Sequence, residues 1–134
     1  SLAYVTDFEL YNSVYLNSVK KSSKININKI GEKLYSDLCD SLSEFIYGVD
    51  LLIMDSVYLK EEYHNKIGWG HSCFEDVYNI AVESKVKKLC FFHHEPNRKD
   101  SDLSDIEKKF KDINKRQKNF ESVFAAAEGM ELVL

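Results

Sequence analysis

Three short apolar runs in this chain each end on an ionisable side chain, and that repetition limits its folds severely. Residues 2–6 close at Asp7, residues 49–54 at Asp55, and residues 86–92 at His93. Runs this short and this apolar predict buried strands rather than helices. Between them the apolar period changes to that of a helix, so the chain reads as α/β. In layered α/β folds ligands gather where strands end, so Asp7, Asp55 and His93 are expected to converge.

The helical segments are read from spacing. Ile30, Leu34, Leu38, Leu42 and Phe45 predict one apolar helix face, either unbroken or divided in two with Ser41 and Glu44 as a candidate capping box for the second piece. Gly48 suits the C-terminal end of that segment. Ser72 and Glu75 predict a second capping box, opening a helix that buries Phe74, Val77, Tyr78 and Ala81. Leu103, Ile106, Phe110 and Ile113 give a third helix, whose Lys and Asp face is solvated. The end, from Val123 onward, reads as two short strands pivoting at Gly129. Residues 10–28 read as a loop or insertion, and residues 1–134 as one domain.

Composition narrows the function. A formal charge of −4 argues against a dedicated nucleic-acid surface, which is normally basic, but leaves a local phosphodiester site open. No apolar run approaches the roughly 20 residues that span a bilayer, so no membrane partner is expected. Cys39, Cys73 and Cys90 are odd in number and scattered, which predicts reduced thiols and a cytoplasmic location. Asp and His at strand tips suit Zn²⁺, Mn²⁺ or Fe, though acids also follow strands simply because loops are polar.

Four blocks occur in a telling order: Tyr4-Val5-Thr6-Asp7, then residues 49–55, then Gly68-Trp69-Gly70-His71-Ser72, then Leu89-Cys90-Phe91-Phe92-His93-His94-Glu95-Pro96. Together they resemble the second half of the metallo-β-lactamase superfamily, in the branch with ribonuclease Z and cyclic-phosphodiester hydrolases. Glu128-Gly129-Met130 is similar to that family's terminal strand. The likeness covers nearly all of the chain outside about residues 10–28. It implies the C-terminal half of an αββα sandwich, with one mixed sheet and helices on its outer face.

The resemblance also implies roles. Asp7 corresponds to the carboxylate that bridges two metal ions, and His93 to the last metal-binding histidine. His71 corresponds to a proton-moving histidine and Asp55 to its acidic partner, usually a glutamate. His94 points to the opposite face if the strand continues, so it stands behind the ligands, contacts substrate, or has no role. The same residues have plainer readings: His93 as an ordinary strand-end residue, Asp7 as a loop acid, His71 as a loop fastener. Trp69 reads as a packing residue, His64 as a solvated loop residue, and Glu61 with Glu62 as surface charge.

The family's first metal motif, H-x-H-x-D-H, does not occur in these 134 residues, whose histidines are His64, His71, His93 and His94. Catalytic zinc takes about three protein ligands and an open position, and Asp7 and His93 are two. Two functions follow. One is a share in a metal-dependent hydrolase that attacks a phosphodiester, RNA or a related ester with metal-activated water. The other is an inactive, truncated half-domain. It would cover an exposed apolar sheet face by self-association, as a homo-oligomer, or by binding a partner such as the missing N-terminal half.

Overall fold

The computed structural model describes residues 1–10 and 29–133. Most of the expected 10–28 insertion therefore lies outside the described residues. In chain order the elements are β1 (Leu2–Val5), α1 (Lys29–Ile46), β2 (Leu51–Asp55), the single turn α2 (Lys60–Tyr63), α3 (Phe74–Glu83), β3 (Lys88–Phe92), α4 (Asp100–Gln117) and β4 (Ser122–Ala125). The three strand runs read from the sequence are β1, β2 and β3. The α/β class is what the structure shows.

The sheet has the order β1-β2-β3-β4, and every described pairing is parallel. This corrects the expectation of a mixed sheet. The expected final hairpin is not formed among the described residues. Among the described residues β4 pairs with β3 alone, and Gly129 (φ +75°) sits in a turn closed by Met130 N–H on the Ala127 carbonyl at 3.1 Å. Parallel neighbours need crossovers, and crossovers are right-handed. When strands are added in sequence order, always in one direction, equal handedness puts every connecting helix on the same face.

That face holds the main core. Ala3, Val5, Leu52, Met54, Leu89, Phe91 and Val123 meet Leu42 and Ile46 of α1, Phe74 and Val77 of α3, and Ile106 and Phe110 of α4. The other face is open at its β1 edge. The row Tyr4, Ile53, Cys90 and Phe124 crosses it in register, and Tyr4 is 53% and Leu2 52% exposed.

Two helix readings are corrected. α1 is one unbroken helix, and Ser41 donates back to the Asp37 carbonyl at 2.8 Å instead of capping a new segment. Its buried face is Leu42 and Ile46, while Leu34, Leu38 and Phe45 are exposed. Four-residue steps overshoot a 3.6-residue turn by about 40° each, so that stripe winds away from the sheet. α3 also lacks the expected capping box. Its N-cap is Cys73, Ser72 is tied to the residue 8–10 segment, and Glu75 accepts from Lys60 N and Lys109 Nζ. The α3 residues expected inside, Phe74, Val77, Tyr78 and Ala81, are buried.

Candidate metal and catalytic site

Parallel strands bring their carboxyl ends to one edge, and Asp7, Asp55 and His93 meet there. Asp7 and His93 each bend the chain out of its strand with a left-handed backbone, φ +51° and +60°. Such a conformation is unfavourable for a residue with a Cβ, and it turns both side chains toward the strand tips. The chain beyond β2 brings the fourth member. Ser56 N–H donates to the Phe92 carbonyl at 2.9 Å, and Tyr58 then bridges in parallel to Cys73. Val57 N–H to Ser72 O at 3.0 Å and Phe74 N–H to Tyr58 O at 2.9 Å complete this strip. His71, one residue before it, is thereby laid beside Asp55.

Asp55 is fully buried, and a single oxygen organises the cluster. Its Oδ2 lies 2.6 Å from His71 Nδ1 and 3.0 Å from His93 Nδ1, and it accepts Asp7 N–H at 3.1 Å. Each ring must donate through Nδ1 to make these contacts, so each neutral ring keeps its lone pair on Nε2. The two rings are 4.6 Å apart, and Asp7 Oδ1 is 4.0 Å from His71 Nδ1. His71 is 21% exposed and His93 42%, so the carboxylate is hidden while both imidazoles reach solvent.

Ligand atoms from Asp7, Asp55, His71 and His93 all lie within 4.8 Å of one another. Carboxylate oxygen with imidazole nitrogen is a donor set that suits a divalent transition ion. Asp55 Oδ1 is buried and has no hydrogen-bond partner among the described residues, which is unusual for a carboxylate and compatible with a cation nearby. The donor set therefore fits the ion that the family resemblance implies.

His94 stands outside this cluster. Its Nε2 donates to the Ala126 carbonyl at 3.1 Å, and its ring lies parallel to Phe74 at 6.5 Å. Burial, opposed by that hydrogen bond but aided by Arg98 and His93, lowers its pKa and favours the neutral ring. It ties the end of β3 to the end of β4, and it also lines a cavity of about 590 Å³ with Asp100, Glu107 and Glu128.

Three groups went unread in the sequence. Glu9 accepts from Tyr63 Oη, Gly68 N and Gly70 N. Arg98, almost buried, donates to the Val57 carbonyl at 3.0 Å and to Glu62 Oε2 at 2.7 Å, joining the residue 93–98 loop to the residue 56–62 loop. Tyr58 packs edge-on against His71 at 6.4 Å, and burial with nearby Glu95 raises its pKa. These residues act through backbone groups or a remote partner, and no spacing rule marks such contacts.

Two bland readings also change. Glu62 is more than surface charge, because it accepts Leu59 N–H at 2.8 Å as well as Arg98. Trp69 is not packed: it is 61% exposed, with Lys66 Nζ 4.0 Å above its ring. Cys73 is buried, and burial with Asp76 pushes its thiol far above the usual range, so it is an inert thiol beside the site.

Known proteins share part of this chain. It is 40% identical over 62 residues, 46% of its length, to the ribonuclease Z of Saccharolobus islandicus, of which that segment is 21%. It is 46% identical over 56 residues to the ribonuclease Z of Sulfolobus acidocaldarius, covering 41% of the chain and 18% of the relative. With the ribonuclease Z of Saccharolobus solfataricus it shares 39% identity over 62 residues, again 46% of the chain and 21% of the relative. The chain thus spans about a fifth of the length of the curated relatives it matches. No family model matches the chain, and no solved structure matches it. Over about half its length the chain is similar to ribonuclease Z, which suggests the metallo-β-lactamase family that its motifs resemble.

Proposed function

We propose that this chain supplies one part of a metal-dependent hydrolase that cleaves phosphodiester bonds, with RNA as the favoured substrate and related esters as the wider class. The observation that carries the reading is Asp55 holding His71 and His93 by their Nδ1 atoms beside Asp7. The partial similarity to ribonuclease Z supports it.

Asp7 and His93 would hold the ion, with zinc favoured by the mixed oxygen and nitrogen donors and Mn or Fe as alternatives. A bound divalent ion supplies a water of lowered pKa and stabilises developing charge on the phosphate. The chain's own residues do the rest. Asp55 Oδ2 holds His71 by Nδ1 and leaves Nε2 facing away from it; with Nε2 also protonated, the ring hands that proton to the leaving oxygen and becomes the neutral Nδ1–H tautomer. Water would return a proton to Nε2 afterwards, while Asp55 keeps the ring in place through Nδ1. Further ligands would come from residues beyond these 134.

The test uses the protein as its gene encodes it, an RNA oligonucleotide, and Zn²⁺, Mn²⁺ or Fe²⁺ added in turn. Cleavage should require the ion and fall at least about 100-fold in His71→Ala, the usual scale of a lost general acid. Absence of ion-dependent cleavage of both RNA and bis(p-nitrophenyl) phosphate would sink the reading.

A second reading, in which this region serves mainly as a binding half, would rest on the open sheet face alone. Leu2 and Tyr4 are more than half exposed, and the row from Tyr4 to Phe124 is apolar throughout. A second sheet would cover it, from the rest of the same protein or from a second copy. Sedimentation of the 134-residue chain decides this: a stable monomer with no tendency to associate would remove the reading.

A further inference from the structure

Glu9 lies two residues beyond Asp7, and its one carboxylate meets the other side of the site. Oε1 accepts the Tyr63 hydroxyl at 2.6 Å and Gly68 N–H at 2.8 Å, and Oε2 accepts Gly70 N–H at 2.8 Å. Gly68 and Gly70 both have φ +87°, a backbone that side-chain-bearing residues rarely adopt. The turn directs the N–H groups of Gly68 and Gly70 into one concavity, the kind of backbone cradle that holds an anion, while Trp69 N–H between them donates to the Lys66 carbonyl at 3.1 Å. Here the anion is in the chain itself.

The fastening continues past His71. Ser72 Oγ accepts Leu10 N–H at 3.0 Å and donates to the Phe8 carbonyl at 2.6 Å. Residues 8–10 therefore grip the chain on both sides of His71, at Gly70 and at Ser72. His71 itself is attached through its ring, by the 2.6 Å contact with Asp55. The segment that carries Asp7 and the segment that carries His71 are thus locked in one register.

We propose that Glu9 is a positioning residue of the site, whose carboxylate shapes the residue 68–71 turn so that His71 Nδ1 meets Asp55. The catalytic part of this inference rests on the hydrolase reading above; the positioning part stands on the hydrogen bonds alone. Glu9 touches no reacting atom. Its effect passes through the backbone of Gly68 and Gly70 to the imidazole, and an error of about 1 Å in such a group costs on the order of 100-fold in rate.

The experiment compares Glu9→Ala and Glu9→Gln with Glu61→Gln, an exposed acid in α2 that serves as control. Protein labelled with ¹⁵N-histidine is read by NMR without added metal. The wild type should show a protected His71 Nδ1 proton, hydrogen-bonded to Asp55. Glu9→Ala should lose it, and Glu9→Gln should weaken it, because an amide nitrogen replaces one accepting oxygen. Against RNA, Glu9→Ala should lower kcat about 100-fold and leave KM within about twofold. Glu61→Gln should change none of these.

A native His71 signal in Glu9→Ala would overturn the proposal, as would a lost signal with kcat unchanged. Glu9→Gln keeps the test decisive if Glu9→Ala fails to fold. Should the wild type cleave neither RNA nor bis(p-nitrophenyl) phosphate, the hydrolase reading fails, and the His71 signal alone then decides whether Glu9 positions the ring.

Discussion

Asp7 and His93 share a left-handed backbone with Lys85 and Lys118, yet the two pairs occupy opposite ends of the sheet. Lys85 and Lys118 end helices, just before β3 and β4. Their backbone N–H groups bond back to Val82 O at 3.0 Å and Asn114 O at 2.6 Å, which satisfies carbonyls that a helix end leaves bare. Asp7 and His93 end strands instead. Asp7 N–H and His93 Nδ1 both serve Asp55 Oδ2, so at this end the awkward backbone brings groups to the site. The same local penalty completes helix ends at one edge of the sheet and assembles a candidate site at the other.

Replacement of His93 tests that distinction most severely. Glycine accepts a φ of +60° freely and alanine does not. His93→Gly should therefore be more stable than His93→Ala by about 0.5–1 kcal/mol. Both should bind Zn²⁺ or Mn²⁺ at least about 100-fold more weakly than the wild type, since even outer partners of a ligand are worth 10–100-fold. Calorimetric titration and thermal melts read the two effects separately. Wild-type affinity in either variant would remove His93 from the ligand set and leave its backbone without a functional reason.

The buried thiols give a smaller effect with no backbone strain involved. Burial, helped by Asp76, raises Cys73, and burial with Glu107 pushes Cys90 up to about 12. Both thiols are held above the ordinary thiol value of 9.0, so the folded protein holds these protons more tightly than the unfolded chain does. Their stabilising contribution is complete below pH 9 and is lost as pH rises toward the folded values. Between pH 9 and 10 the loss should approach about 1.4 kcal/mol for each thiol at most. Cys90→Ala should flatten the alkaline limb of the urea midpoint against pH. An unchanged limb in that variant would show that Cys90 ionises as easily folded as unfolded.

Much of the molecule could be read from side-chain chemistry along the chain. Strand runs ending in Asp7, Asp55 and His93 are visible because burial demands apolar runs and sites demand polar tips. His71 is picked out only by the likeness of the Gly68-Trp69-Gly70-His71-Ser72 block to the metallo-β-lactamase family. The exposed Leu34, Leu38 and Phe45 misled, because a stripe at four-residue spacing looks amphipathic while it precesses around the helix. Ser41, Ser72 and Glu75 misled for a different reason. A capping box is a local pattern, and in α1 the helix simply continued, while around α3 distant backbone and side-chain groups competed for both residues. Glu9 and Arg98 were invisible because their partners are main-chain atoms and residues tens of positions away. The parallel direction of β4 was hidden too, since direction depends on the crossover of α4 and not on the strand's own residues.

Lys118 gives the smallest effect and the cleanest contrast with the strand tips. It is exposed, it follows α4, and its φ of +56° matches what glycine supplies without strain. Lys118→Gly should raise stability by about 0.5–1 kcal/mol and leave metal binding at the wild-type level. Lys85→Gly should gain less, because Lys85 also reaches over the Tyr47 ring at 5.5 Å and gives up that contact. Urea melts with a matched zinc titration measure both quantities. If Lys118→Gly weakened zinc binding as His93→Gly is expected to, the left-handed residues at the two ends would share one role. The assignment of strand tips to chemistry and helix ends to chain reversal would then fall.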